Sequence, residues 1–95
     1  MELDFAMPEE FRQKYVFRRV QDIESLRAAL NNSSFEEFQN VGHQLRGNVA
    51  SFGFFDLEKI AERLELAGNQ RDQTLAREQL GLLEQWFKTE SAAIP

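Results

Sequence analysis

His43 is the only histidine of this 95-residue chain and the residue whose type and surroundings best suit it for chemistry. Its neighbourhood reads as helix, yet Gly42 and Gly47 stand beside it. A glycine inside a helix costs about 1 kcal/mol relative to alanine. A helix that keeps two glycines around one imidazole is expected to need that imidazole uncovered, so the pattern predicts an accessible, reactive histidine.

The apolar pattern of the same helix predicts which way His43 points. With Phe38 as the reference, Val41, Leu45 and Val49 fall within roughly 60° of it at 100° per residue, and they define a buried stripe. His43 falls about 140° away from Phe38 on this helical wheel. An outward direction argues against a histidine that is simply hydrogen-bonded in the core.

Four roles remain for an outward histidine: a surface residue without a role, a metal ligand, a general base, or a nucleophile for phosphoryl groups. A metal site is disfavoured because the chain has no second histidine and no cysteine. A general base needs an oriented carboxylate, and the sequence places none. For phosphoryl transfer, neutral imidazole is a nucleophile, Arg46 one turn on supplies positive charge, and Gly47 leaves the line of approach open.

Composition and charge narrow the class of protein. The net charge of −5 argues against nucleic acid or an anionic membrane as the main partner. The absence of cysteine excludes disulfides and thiolate chemistry. The start of the chain lacks a signal-peptide pattern, and no apolar stretch approaches the ~20 residues that cross a bilayer. We expect a soluble, cytoplasmic protein.

The spacing of apolar residues predicts helices joined by short polar breaks. The breaks fall at residues 31–34, near Gly53, and at residues 68–70, and a last helix runs from about Asp72 to Thr89. We therefore expect an all-α fold, an antiparallel up-down four-helix bundle in a single domain. Its core bundle should span about residues 20–90, with an N-terminal covering helix at about 8–19. The sequence leaves open whether residues 8–30 form one long helix or two.

The residues around His43 closely resemble the signature of histidine phosphotransfer (HPt) domains. That signature has a histidine, two residues, a lysine or arginine, a glycine, then small residues and a second glycine. It is matched here by His43, Arg46, Gly47, Ala50 and Gly53, and the likeness continues through Leu57, Ala61, Leu64 and Glu65. About half of the chain carries the resemblance strongly.

The resemblance implies a role for each matched residue. His43 would be the phospho-acceptor, Arg46 would stabilise the charge of the phosphoryl group, and Gly47 would give access to the imidazole. Gln39, one turn before His43, is a candidate hydrogen-bond partner of the phosphoryl group on helical geometry.

The same outward face supplies candidate partner-binding residues. These are Gln44, Ala50, Ser51 and Phe54. Phe54 lies on the His43 face if the helix continues through Gly53, and it is an equal candidate for the core, whereas Phe55 is expected in the core.

The function implied is that of a phosphorelay carrier in two-component signalling. Its partners would be response-regulator receiver domains and a hybrid or sensor histidine kinase. The chain would have no kinase activity and no cofactor of its own, magnesium being supplied by the receiver, and it would be a monomer. The alternative is a helical docking module that binds a receiver or kinase without turnover.

Overall fold

Four helices make up the fold of residues 8–94, the part of the chain that a computed structural model describes. They are α1 (Glu9–Asn31), α2 (Phe35–Phe52), α3 (Phe55–Gln70) and α4 (Gln73–Ala92). The connections between them are only two or three residues long, which makes sequential helices antiparallel neighbours.

The helices are arranged as a closed square. Helix α1 packs against α2 and α4, and α3 packs against α2 and α4, so α1 and α3 lie on one diagonal. Among the described residues, eighteen buried apolar side chains from all four helices and the α2–α3 turn form the core, including Leu26, Phe38, Leu45, Leu64 and Leu83. The predicted all-α four-helix bundle is confirmed.

The N-terminal half of α1 covers the end of the bundle near Phe52 and Phe54, as the sequence predicted. It is part of α1 and not a separate helix. Residues 9–31 form one continuous helix of 23 residues, which answers the question the sequence left open. Tyr15 and Val16 are buried in this half, and the Tyr15 ring stacks on Phe52 and Phe54 with centroid distances of 4.2 and 5.1 Å. Phe11, in the same half of α1, projects outward and is 49% exposed.

Each of the three turns contains one left-handed residue, and in the turn between α1 and α2 it is Ser33, with φ of 55°. Gly53, with φ of 77°, ends α2 where the sequence predicted an end or a bend. Arg71, with φ of 53°, ends α3, and the Asp72 side chain then caps α4 by accepting a hydrogen bond of 3.0 Å from the Leu75 amide.

Asp56 does not cap α3, because that helix already begins at Phe55. The Asp56 carboxylate instead accepts a hydrogen bond of 3.3 Å from the indole N–H of Trp86. None of the helices described between residues 8 and 94 is long and apolar enough to span a bilayer.

Candidate functional site

His43 lies on the outward face of α2, as its position relative to the buried stripe predicted. Phe38, Val41, Leu45 and Val49 are buried on the opposite side of the helix, none more than 5% exposed. The His43 side chain is 78% exposed. The fold therefore leaves the imidazole open to solvent rather than enclosing it.

A carboxylate on the neighbouring helix fixes the orientation of the imidazole. Glu65 of α3 lies with one oxygen, Oε2, 3.2 Å from His43 Nδ1, and its other oxygen, Oε1, accepts a hydrogen bond from the Arg46 guanidinium. The Glu65 side chain is only 17% exposed, so it is largely buried between α2 and α3. One carboxylate thus aligns the histidine and the arginine side by side.

The charges of this cluster reinforce each other. The hydrogen bond from Arg46 is the largest cause that lowers the pKa of Glu65, with a smaller contribution from His43. The same hydrogen bond raises the pKa of Arg46. Glu65 is therefore an anion at neutral pH, and a carboxylate only accepts hydrogen bonds. Its contact with Nδ1 favours the tautomer with the proton on Nδ1, which leaves the lone pair on Nε2.

Gly42 has a different purpose from the one the sequence suggested. A Cβ at this position would lie 2.8 Å from the Ala61 carbonyl oxygen and against the backbone nitrogen of Glu65. Gly42 is buried at the contact between α2 and α3, so it does not uncover the imidazole. It lets the two backbones touch, which brings the carboxylate of Glu65 within reach of His43.

Gly47 does leave open space. It is exposed, and a Cβ built on it would meet no atom within 4 Å. Gly47 follows His43 by one helical turn, so this space lies beside the imidazole. Access of a phosphoryl donor to the ring through this space stays a prediction.

Gln39 has another partner in this structure. Its side-chain amide donates a hydrogen bond of 3.4 Å to the Gly68 carbonyl oxygen on α3. Gly68 repeats the close approach seen at Gly42, since a Cβ there would lie 2.7 Å from the Phe35 carbonyl oxygen. A hydrogen bond from Gln39 to a phosphoryl group stays a prediction, and it would require the amide to leave Gly68.

The structure separates the two phenylalanines after Gly53, with one ring in the core and the other exposed. Phe54 is buried, at 3% exposed, and packs edge-on against Trp86, so it is not a partner-binding residue. Phe55, expected in the core, is 70% exposed. The left-handed turn at Gly53 ends the helical repeat, so an angle extrapolated from α2 through Gly53 points the wrong way.

The remaining candidate partner-binding residues belong to α2. Gln44 and Ser51 are exposed and can contact a partner. The side chain of Ala50 lies outside the part of the chain that the structure describes. Contact of these positions with a receiver stays a prediction.

The contact of Glu65 with His43 was not predicted from the sequence, in which Glu65 was noted only as part of the resemblance. A usable signal was present in the short turn between α2 and α3. Two antiparallel helices rise equally per residue, so positions equally far from the turn lie at the same level. His43 and Glu65 are each eleven residues from Phe54.

The arrangement has the parts of a phosphoryl-transfer site that a protein without bound nucleotide can supply: an exposed nucleophile, an orienting carboxylate and an adjacent guanidinium. In residues 8–94 no three histidine, cysteine, aspartate or glutamate side chains are grouped so as to hold a metal ion.

Comparison with known proteins agrees with this geometry. The family model described as "Hpt domain" matches residues 10–93, nearly the whole bundle with His43 on its second helix. Searches of curated proteins and of solved structures gave no match. Hpt domains act in phosphorelay histidine phosphotransfer in two-component signalling, where they interact with receiver domains and kinases. By its match over most of its length, this chain belongs to the Hpt domain family.

Proposed function

We propose that His43 accepts a phosphoryl group from the aspartyl phosphate of a receiver domain and passes it to the aspartate of another receiver. The observation that carries this proposal is the contact between His43 Nδ1 and Glu65 Oε2, 3.2 Å long, on a side chain that is otherwise open to solvent. It supplies the oriented carboxylate that the sequence alone did not place.

In the accepting step, the Nε2 lone pair forms a bond to phosphorus while the bond from phosphorus to the receiver aspartate breaks. The aspartate leaves as a carboxylate, and the proton on Nδ1 stays in place. The imidazole ring gains positive character, which the neighbouring Glu65 carboxylate stabilises. Donation to the next receiver is the same reaction in reverse, with the aspartate of that receiver as the attacking group.

Arg46 contributes positive charge beside the transferred group. One of its N–H groups is donated to Glu65, and a guanidinium has five. The others are available to phosphoryl oxygens, because the side chain is 52% exposed.

This chain needs no nucleotide site for the exchange, and the magnesium of the reaction would be held by the partner receiver. One copy of this chain holds His43, Arg46 and Glu65, so it contributes to the step as a monomer. A cytoplasmic location stays a prediction.

The decisive experiment offers wild-type protein and a His43→Gln variant to a panel of phosphorylated receiver domains. We expect acid-labile label on the wild type alone, since a phosphoramidate is hydrolysed in acid. Receiver binding without label would assign the chain to the alternative class, a docking module without turnover. Label on the glutamine variant would remove His43 from the mechanism.

Access to the imidazole is tested by Gly47→Leu, with Gly81→Leu as the matched control. Both glycines are exposed, lie inside helices and have empty space where a Cβ would go. Both variants should be as stable as wild type or more so, by up to about 0.8 kcal/mol from helix propensity. Only Gly47→Leu should slow transfer, and equal transfer rates in the two variants would refute the access argument.

The orienting role of Glu65 is tested by Glu65→Gln, with Glu84→Gln as its control. Each glutamate pairs with an arginine, but Glu84 pairs with Arg27 on the other side of the bundle. We expect transfer to fall roughly tenfold in Glu65→Gln alone, since misplacing a reacting group costs up to about a hundredfold. The dependence of the transfer rate on pH should also change in Glu65→Gln. A purely structural role of Glu65 would leave that dependence unaltered.

A further inference from the structure

Two exposed stripes on opposite sides of the bundle carry matching patterns of residues. The α1 stripe consists of Phe11, Lys14 and Arg18, and the α3 stripe consists of Phe55, Glu58, Glu62 and Leu66. The first three members of each have the same spacing, a phenylalanine followed by charged residues three and seven positions later. The charges are of opposite sign, basic on α1 and acidic on α3.

The α1 stripe borders a cavity of about 280 Å³. Three aromatic rings line it, those of Phe11, Tyr15 and Phe52, and Lys14 and Arg18 form its rim. A cavity of ~150 Å³ with apolar walls already admits a benzene ring. The cavity is therefore large enough for a phenylalanine side chain, and its rim is suited to carboxylates.

The α3 stripe presents the complementary shape. Phe55 is 70% exposed at the start of α3, and Leu66 is 42% exposed nearly three turns further along. Glu58 and Glu62 lie between them on the same face, because residues three, four and seven apart share a helix face. Lys59 and Arg63 lie along the edge of this face, on the side away from Glu65.

We propose that copies of this chain associate weakly head to tail, with Phe55 of one copy seated in the aromatic cavity on α1 of the next. Lys14 and Arg18 then face Glu58 and Glu62 of the other copy, as the equal spacing allows. Neither stripe includes His43 or Arg46, so this inference does not rest on the proposed phosphotransfer. The α3 stripe does border that site, because the charges of Glu62 and Glu58 contribute to raising the pKa of Arg46. The monomer that carries the phosphoryl group is the dissociated form of this equilibrium.

The positions of the two helices determine the type of assembly. Since α1 and α3 lie on one diagonal of the bundle, their exposed stripes face in opposite directions. When the α1 stripe of one copy binds the α3 stripe of another, the remaining α3 stripe of the first copy and the remaining α1 stripe of the second face away from each other. A pair of copies therefore has one free stripe at each end. Such a heterologous interface extends beyond two copies. Two ion pairs at a solvent-exposed contact give only modest affinity, so the association is weak and sensitive to salt.

The test follows the weight-average mass by sedimentation from micromolar to millimolar concentration for three charge variants. Lys14→Glu with Arg18→Glu makes both stripes acidic, and Glu58→Lys with Glu62→Lys makes both basic. Each double variant alone should associate about tenfold more weakly than wild type, or not at all, since 1.4 kcal/mol corresponds to a factor of ten. Arg77→Glu with Glu78→Lys on α4 reverses two charges outside both stripes, and this control should behave as wild type.

Mixing the two double variants gives the sharpest result. In the mixture each acidic stripe meets a basic stripe, so association should return to the level of wild type. Phe55→Ser, which changes no charge, should weaken association in the wild-type background. Circular dichroism establishes that each variant is folded, so loss of association is not loss of structure.

Four outcomes would overturn the proposal. Wild-type protein that stays monomeric throughout the concentration range excludes it, and so does association that the charge variants leave unchanged. A mixture that does not associate excludes the pairing of α1 with α3. Association that appears only when residues 1–7 are removed would assign the cavity to that segment of the same chain instead of a second copy.

Discussion

The contact between α2 and α3 and the contact between α1 and α4 join similar helices by different means. Between α2 and α3, Gly42 and Gly68 let the two backbones touch. Between α1 and α4, a groove of about 450 Å³ stays open. Ion pairs bridge this second contact, Arg12 with Glu90 at 2.7 Å and Arg27 with Glu84 at 2.6 Å.

The difference shows which pair of helices is held at a fixed separation. Backbone contact fixes the separation of α2 and α3, and the pair His43 and Glu65 bridges these two helices. Long charged side chains that hold α1 to α4 can adjust to small shifts, and no part of the proposed transfer chemistry lies there. The candidate site is built on the pair of helices whose distance is the least adjustable.

The largest expected effect is that of Gly42→Ala. Its Cβ would meet backbone atoms of α3, which cannot rotate away, so the two helices must separate. We expect a loss of about 3 kcal/mol in the free energy of unfolding, the upper end of the range for overpacking. Urea denaturation measures it. A stability equal to that of wild type would mean that the two backbones are not in contact.

An intermediate effect is expected where α1 meets α2, at Tyr15. Burial raises the pKa of Tyr15 to about 12, and its hydroxyl donates a hydrogen bond of 2.7 Å to Asn48 Oδ1. A pKa raised in the folded state means that stability is full below pH 10 and falls as pH rises towards 12, by about 2 kcal/mol.

Tyr15 is the only tyrosine, so the ultraviolet absorbance of phenolate reports this group alone. The Tyr15→Phe variant should lose the alkaline fall in stability. A phenolate midpoint near 10 in the folded protein would contradict the prediction.

A smaller effect of opposite sign is expected for Gly81→Ala in the groove between α1 and α4. Nothing lies within 4 Å of the added Cβ, so only the gain in helix propensity acts. The variant should be more stable by about 0.5–1 kcal/mol. Thermal melting of Gly81→Ala and Gly42→Ala under the same conditions provides the comparison. The change in stability should be positive at Gly81 and negative at Gly42. Destabilisation by Gly81→Ala would show that the groove is closed in solution.

The smallest effect is that of Arg27→Ala, which removes the ion pair with Glu84. The Arg27 side chain is 59% exposed, and solvent screens such a pair, so the loss should not exceed about 0.5 kcal/mol. A double-mutant cycle with Glu84→Ala isolates the pair from other effects. A coupling free energy well above 1 kcal/mol would show that ion pairs, and not the core, hold α4 in place.

The sequence was sufficient for the features that depend on periodicity. The four helices, the break before Phe35 and the outward direction of His43 all follow from the spacing of apolar residues along single helices. It was insufficient wherever the outcome depends on how two helices meet. The purpose of Gly42 and the contact of Glu65 with His43 require the separation and register of α2 and α3.

Phe54 and Phe55 illustrate a second limit. Both are apolar and adjacent, so composition does not separate them, and the helical angle that would do so is lost at Gly53. A positive φ at one residue reverses which ring is buried.

The two-residue turn between α2 and α3 has a consequence for the order of folding. A short connection costs little chain entropy to close, whereas α1 and α4 meet only when the far ends of the sequence come together. We therefore expect the helical hairpin that carries His43 and Glu65 to form early, and the contact between α1 and α4 to form late. The reactive histidine and its carboxylate would then share one local folding unit.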